Sequence, residues 1–114
     1  MYRVRKDLFP VVGSDLDFQL TVPTSDGTGL EDLTSATFVS EVRSRIQSSD
    51  TLVCSLSVEA GEEEGILECL LSLANIANLD PNVVYYYDII AEVDGVKIYV
   101  CFGTIQRFST VSAI

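Results

Sequence analysis

VVYYYDIIAEV (residues 83–93) and VKIYVCFGTIQRF (residues 96–108) stand on either side of the dipeptide Asp94-Gly95. Both runs are dense in β-branched and aromatic residues, and Asp-Gly between two such runs marks a two-residue hairpin turn. Closing that turn pairs Val93 with Val96 and sets the register behind it. Under strict alternation, one face sets Ala91 opposite Ile98, Ile89 opposite Val100 and Tyr87 opposite Phe102. The other face pairs Glu92 with Lys97, Ile90 with Tyr99, Asp88 with Cys101 and Val84 with Ile105. Glu92 opposite Lys97 is a favourable cross-strand charge pair of about 0.2–1 kcal/mol, which a one-residue slip forfeits.

Outward from this hairpin, period two dominates the chain. In DLDFQLTV, Leu16, Phe18, Leu20 and Val22 alternate with polar residues, which reads as a half-buried strand. Pro23 to Ser35 is rich in turn formers and reads as a long connection. From Thr37, Phe38, Val42 and Ile46 share one face, and Val39, Glu41, Arg43 and Arg45 share the other. After polar Gln47 to Asp50, the run TLVCSLSV places Leu52, Cys54, Leu56 and Val58 together, so a hairpin joins the two segments. EAGEEEG, Glu59 to Gly65, punctuates the chain before ILECLLSL, where Leu67, Cys69, Leu71 and Leu73 oppose Glu68. LANIANL, residues 73–79, has the content of one short helical turn. Six or seven strands with turn signals between them predict a single all-β sandwich or barrel over residues 1–114. Residues 1–8 form an N-terminal arm or edge strand in this reading, and residues 109–114 a C-terminal tail.

Leu79-Asp80-Pro81-Asn82-Val83-Val84-Tyr85 narrows the choice. Its Leu-x-Pro-x-x-x-Tyr spacing is that of the corner entering the sixth strand of immunoglobulin-like and fibronectin type III sandwiches. There a tyrosine hydroxyl bonds back to the upstream backbone. Leu79, Pro81 and Tyr85 are therefore the candidate structural corner of an immunoglobulin-like sandwich of about seven antiparallel strands. With no tryptophan, the chain lacks the Cys…Trp…Cys signature of antibody domains.

Composition limits the chemistry. At 47% hydrophobic and 21% charged, with mean hydropathy +0.30, the 114 residues suit one folded domain. Seventeen acidic against seven basic residues give −10, a poor balance for gripping nucleic acid. There is no histidine, which removes Ser/His/Asp and Cys/His mechanisms and the commonest zinc ligand. No GxSxG elbow occurs. Cys54, Cys69 and Cys101 lack CxxC spacing and predict neither a zinc knuckle nor a disulfide framework. Cys54 and Cys69 face the core, while Cys101, on the outer face, is the thiol expected to react first. The N-terminus has no signal-peptide pattern and no window reaches the length of a membrane helix, so a reducing cytoplasm is the expected site of synthesis. The acidic turn Glu59 to Glu64 lacks the spacing of a calcium loop and reads as solvated. No cofactor or metal is expected.

Two surface features point to partners. Val84, Tyr86, Ile90, Tyr99 and Ile105 form a partly apolar stripe on the outer face of the final hairpin, where a water-facing sheet should be more polar. Either another strand or the tail covers it, or it is a protein–protein interface. Arg3, Arg5 and Lys6 make the N-terminus basic. They suit an arm that docks on an acidic neighbouring copy, or an edge strand protected by its charges.

Asp15 to Arg43, DLDFQLTVPTSDGTGLEDLTSATFVSEVR, and Tyr85 to Gln106, YYYDIIAEVDGVKIYVCFGTIQ, resemble motifs of bacteriophage virion proteins. The chain is similar to the immunoglobulin-like N-terminal domain of phage baseplate upper proteins. The resemblance implies a non-enzymatic virion component, made in the host cytoplasm, whose partners are other virion proteins and copies of itself rather than nucleic acid or membrane. Baseplate upper proteins continue into a fibre or adaptor, whereas this sequence stops at Ile114. A sandwich of this size suits a capsid decoration protein or a tail, baseplate or neck adaptor. In the same motifs, Leu33-Thr34 and Ala36-Thr37 set the start of a long strand, and Asp88 is a structural hydrogen-bond acceptor. A carbohydrate-binding or adhesion module is the alternative, with Tyr2, Tyr86 and Tyr99 as its available aromatics.

Overall fold

Asp94 and Gly95 both adopt left-handed backbone, with φ of 52° and 79°, and close the two-residue turn that the sequence predicts. They join β7 (Tyr85–Val93) to β8 (Val96–Ile105), with Val93 opposite Val96 and Glu92 opposite Lys97. The computed structural model describes residues 2–44 and 52–107. Before this hairpin come β1 (Val4–Arg5), β2 (Leu16–Thr21), β3 (Thr37–Arg43), β4 (Leu52–Cys54), β5 (Ser57–Ala60), β6 (Ile66–Leu71) and α1 (Leu73–Ala77). The positions expected of Arg45, Ile46, Gln47 to Asp50 and the tail 109–114 lie outside the described residues.

Two sheets form, one ordered β1-β8-β7-β3-β4 and the other β2-β6-β5. In chain order this is the strand allocation of an immunoglobulin-like sandwich, with the second, sixth and fifth strands facing the eighth, seventh, third and fourth. Between the sheets lie the fully buried Val22, Leu67 and Leu71 from one side and Val42, Ile89 and Val100 from the other. The alternation of β2 holds, with Leu16, Phe18 and Leu20 turned to this core.

Four expectations need correction. There are eight strands among the described residues, and they are not all antiparallel. β1 runs parallel to β8, pairing Val4 with Cys101 and Arg5 with Phe102. The run TLVCSLSV is two strands: β4 pairs with β3, the chain crosses between sheets at Ser55-Leu56, and β5 pairs with β6. Alternation survives the crossing because both sheets face one core, and Leu56 is buried where the chain passes. Leu73 leaves the apolar face of β6, begins α1 and is exposed.

The fourth correction lies in β8, where the register shifts beyond Ile90–Tyr99, so that Ile89 meets Cys101 rather than Val100. Val100 is the extra residue of a β-bulge. Val100 and Cys101 are both fully buried, and every later side chain changes face. Cys101 and Ile105 turn inward with Gly103, while Phe102 turns outward.

The corner is formed as its spacing predicts. The Asp80 N–H donates to the Tyr85 hydroxyl at 2.8 Å, and Leu79 and Tyr85 are buried. Two residues on, where antibody domains place a disulfide cysteine, stands Tyr87. Its hydroxyl donates to the Lys6 carbonyl at 2.6 Å and lies 3.4 Å from the Cys101 sulfur. α1 is capped by Ser72, whose hydroxyl accepts from the Asn75 N–H, and by Asp15, which accepts from the Leu73 N–H. Arg107 donates to the Leu79 carbonyl at the far end of α1.

Candidate interaction face

The outer face of the five-stranded sheet is built in rows fixed by strand register. Lys97, Glu92 and Thr37 form one row, and Tyr99, Ile90 and Val39 the next. Beyond them come Phe102, Asp88 and Glu41, then Thr104, Tyr86 and Arg43. The second row is apolar throughout. Val39 is 57% exposed, Tyr99 40% and Phe102 38%, while Ile90 and Tyr86 are half-buried between their neighbours. Val84, just before β7, is exposed as well.

Of the expected stripe, Tyr86, Ile90 and Tyr99 share this face, and Ile105 does not, because the bulge at Val100 turns it into the core. Phe102 takes the outward place that strict alternation denied it. Alternation alone turns Val39 outward on β3 but does not join it to the stripe, since pairing of β3 with β7 is not a local signal.

Tyr2 covers one corner of the face. Its ring meets Tyr99 edge-on with centroids 5.4 Å apart and Phe102 at 5.2 Å, and its hydroxyl donates to Asp88 Oδ2 at 2.8 Å. Burial, then Asp88, pushes the Tyr2 hydroxyl well above the ordinary tyrosine range, so it stays a donor. Asp88 is thus an acceptor, although its neighbour in register, Glu41, carries the same charge. Arg43 offsets that repulsion through an ion pair to Glu41 at 2.9 Å.

Arg3, Arg5 and Lys6 lie along the edge of the same sheet. Arg3 binds the Pro23 carbonyl at 2.8 Å and pairs with Glu31 at 2.9 Å. Arg5 sits over the Phe102 ring, 5.4 Å from its centroid, and contacts Asp7. The Lys6 N–H donates to the Phe102 carbonyl. These residues are held by their own chain as an edge strand, and Arg3 in particular is committed to Glu31.

The other sheet presents a different surface. Asp17, Gln19, Glu59 and Glu68 face outward, with Glu59 directly opposite Glu68 in register. Open grooves of about 270 and 350 Å³ run over these residues and the turn at Glu62 and Glu63. No described lysine or arginine belongs to β2, β5 or β6. Among the described residues no group of three or more carboxylates or thiols is placed to hold a metal ion. None of their helices is long and apolar enough to cross a membrane.

No family model and no curated protein matches the chain.

Proposed function

We propose that this protein is a non-enzymatic structural component of a phage virion, docking on or reinforcing a larger assembly as a capsid decoration protein or a tail, baseplate or neck adaptor. One observation carries the reading: Val39, Ile90 and Tyr99 make a continuous apolar row across three strands, edged by exposed Phe102, on a sheet face that water alone would not favour. The partners are then other virion proteins or further copies of the chain, met first in the host cytoplasm and then in the particle. Antibody labelling of intact particles in the electron microscope, with mass measurement of the purified protein, tests this. Particle-bound protein whose attachment is lost in the Val39→Lys, Tyr99→Lys double variant is the expected result. Val39 is exposed, and Tyr99 gives up its edge contact with the Tyr2 ring, so the protein should lose about 1–2 kcal/mol and stay folded by circular dichroism. A monomer absent from particles would overturn the proposal.

A further inference from the structure

β2 is the longest edge strand among the described residues. It pairs along six residues with β6 without a bulge, and its other side has no strand neighbour among the described residues. The remaining edges are shorter: two residues in β1, three in β4 beside a register shift, and four in β5. Edges are normally blunted by short length, uncompensated charge, proline or a bulge, and of these Leu16–Thr21 carries only the charge of Asp17, on its outer face. The N-terminal segment, which precedes β2 and could have covered it, is committed to β8. The N–H groups of Arg3, Lys6 and Leu8 donate there to Tyr99, Phe102 and Thr104.

The direction of the open backbone groups follows from two hydrogen bonds. The Val22 N–H donates to the Gly65 carbonyl, and the Gly61 N–H to the Ile66 carbonyl. Alternation along both ladders then commits Leu16, Phe18 and Leu20 to β6, and leaves the N–H and C=O of Asp17, Gln19 and Thr21 aimed at the open edge. Leu16 and Phe18 point to the core yet stay half-exposed, as side chains beside a missing strand would.

The strand is close to self-complementary about Phe18. An antiparallel copy centred there sets Phe18 against Phe18 and Leu16 against Leu20 on the inner face. On the outer face Asp17 meets Gln19, so no aspartate opposes another. We infer that two copies of this chain join through β2, making one continuous six-stranded sheet β5-β6-β2-β2-β6-β5 about a two-fold axis. This contact is separate from the face of the five-stranded sheet.

Sedimentation equilibrium of the full chain tests it. Wild type should dimerise. Gln19→Pro removes an N–H that points only to the open edge, so it leaves the β2–β6 ladder intact and should weaken the dimer at least ~30-fold. Gln19→Lys places a cation opposite Asp17 of the other copy and should tighten the dimer about threefold. If Gln19→Pro fails to fold, by circular dichroism, Gln19→Lys decides alone. A monomeric wild type, an unchanged dimer in folded Gln19→Pro, or a dimer that Gln19→Lys leaves unchanged or weakens would overturn the inference. So would a dimer dissolved by Tyr99→Lys, which would move self-association to the other sheet.

Discussion

Gly103 and Lys6 touch main chain to main chain: a β-carbon on Gly103 would collide with the Lys6 carbonyl and stand 3.0 Å from the Tyr87 ring. The same carbonyl accepts the buried Tyr87 hydroxyl. A single missing side chain thus lets the N-terminal segment close on β8 and satisfies a polar group in the core. Gly103→Ala forces Lys6 outward and breaks that bond. A loss of about 2–3 kcal/mol in chemical denaturation is expected, with faster native-state proteolysis within residues 2–8. Unchanged stability would mean that the segment can shift at no cost.

What was legible in the sequence was local. Asp94-Gly95 needs only its own backbone angles, the corner at Tyr85 spans seven residues, and β2 announces itself by alternation. The bulge at Val100 was not legible, because Val96, Ile98, Val100 and Phe102 alternate as well as a true strand does. The reason for the bulge is long-range: Gly103, not Phe102, must face Tyr87 and Lys6. Strict alternation therefore sets Ile105 and Cys101 on the outer face, whereas both are buried. Composition sets Tyr2 beside Tyr86 and Tyr99 only as an available aromatic; its place on the face is not legible because its acceptor, Asp88, is 86 residues away.

Tyr85→Phe isolates the corner. The ring stays buried, but the Asp80 N–H loses its acceptor at 2.8 Å. The expected cost is about 1–2 kcal/mol in thermal or chemical unfolding. Hydrogen exchange at the Asp80 amide should accelerate, while β2 and β6 amides in the opposite sheet follow only the global change. Equal acceleration everywhere would argue that the hydroxyl has no local role.

Thiol labelling should follow the order set by the bulge. Cys101 is fully buried and Cys69 nearly so, whereas Cys54 is half-buried. Burial raises all three thiols, Cys69 to about 12 with a smaller contribution from Cys101. In the native protein a thiol reagent should modify Cys54 slowly, with Cys69 and Cys101 reacting only on unfolding. Mapping the adducts by mass spectrometry checks this. Native-state modification of Cys101 ahead of Cys54 would contradict the register of β8.

Acid should weaken the fold through surface carboxylates that are held ionised. The Thr104 N–H, at 3.0 Å, and its hydroxyl, at 3.1 Å, keep Asp7 below the usual carboxylate range. The Thr24 hydroxyl at 2.6 Å, with the N–H and hydroxyl of Thr28, holds Asp26 at about 2. Asp32 is lowered by the hydroxyl and N–H of Thr34. A carboxylate whose folded value lies below its unfolded value, about 3.9, contributes its stability in full above that pH. The contribution is lost as pH falls through the folded value. The thermal midpoint should therefore decline between about pH 4 and pH 2, the lower end set by Asp26. Asp7→Asn removes one titrating group while an amide oxygen can still accept from Thr104, so its decline should be shallower than that of wild type. Superimposable pH profiles for the two proteins would show that Asp7 does not couple to folding.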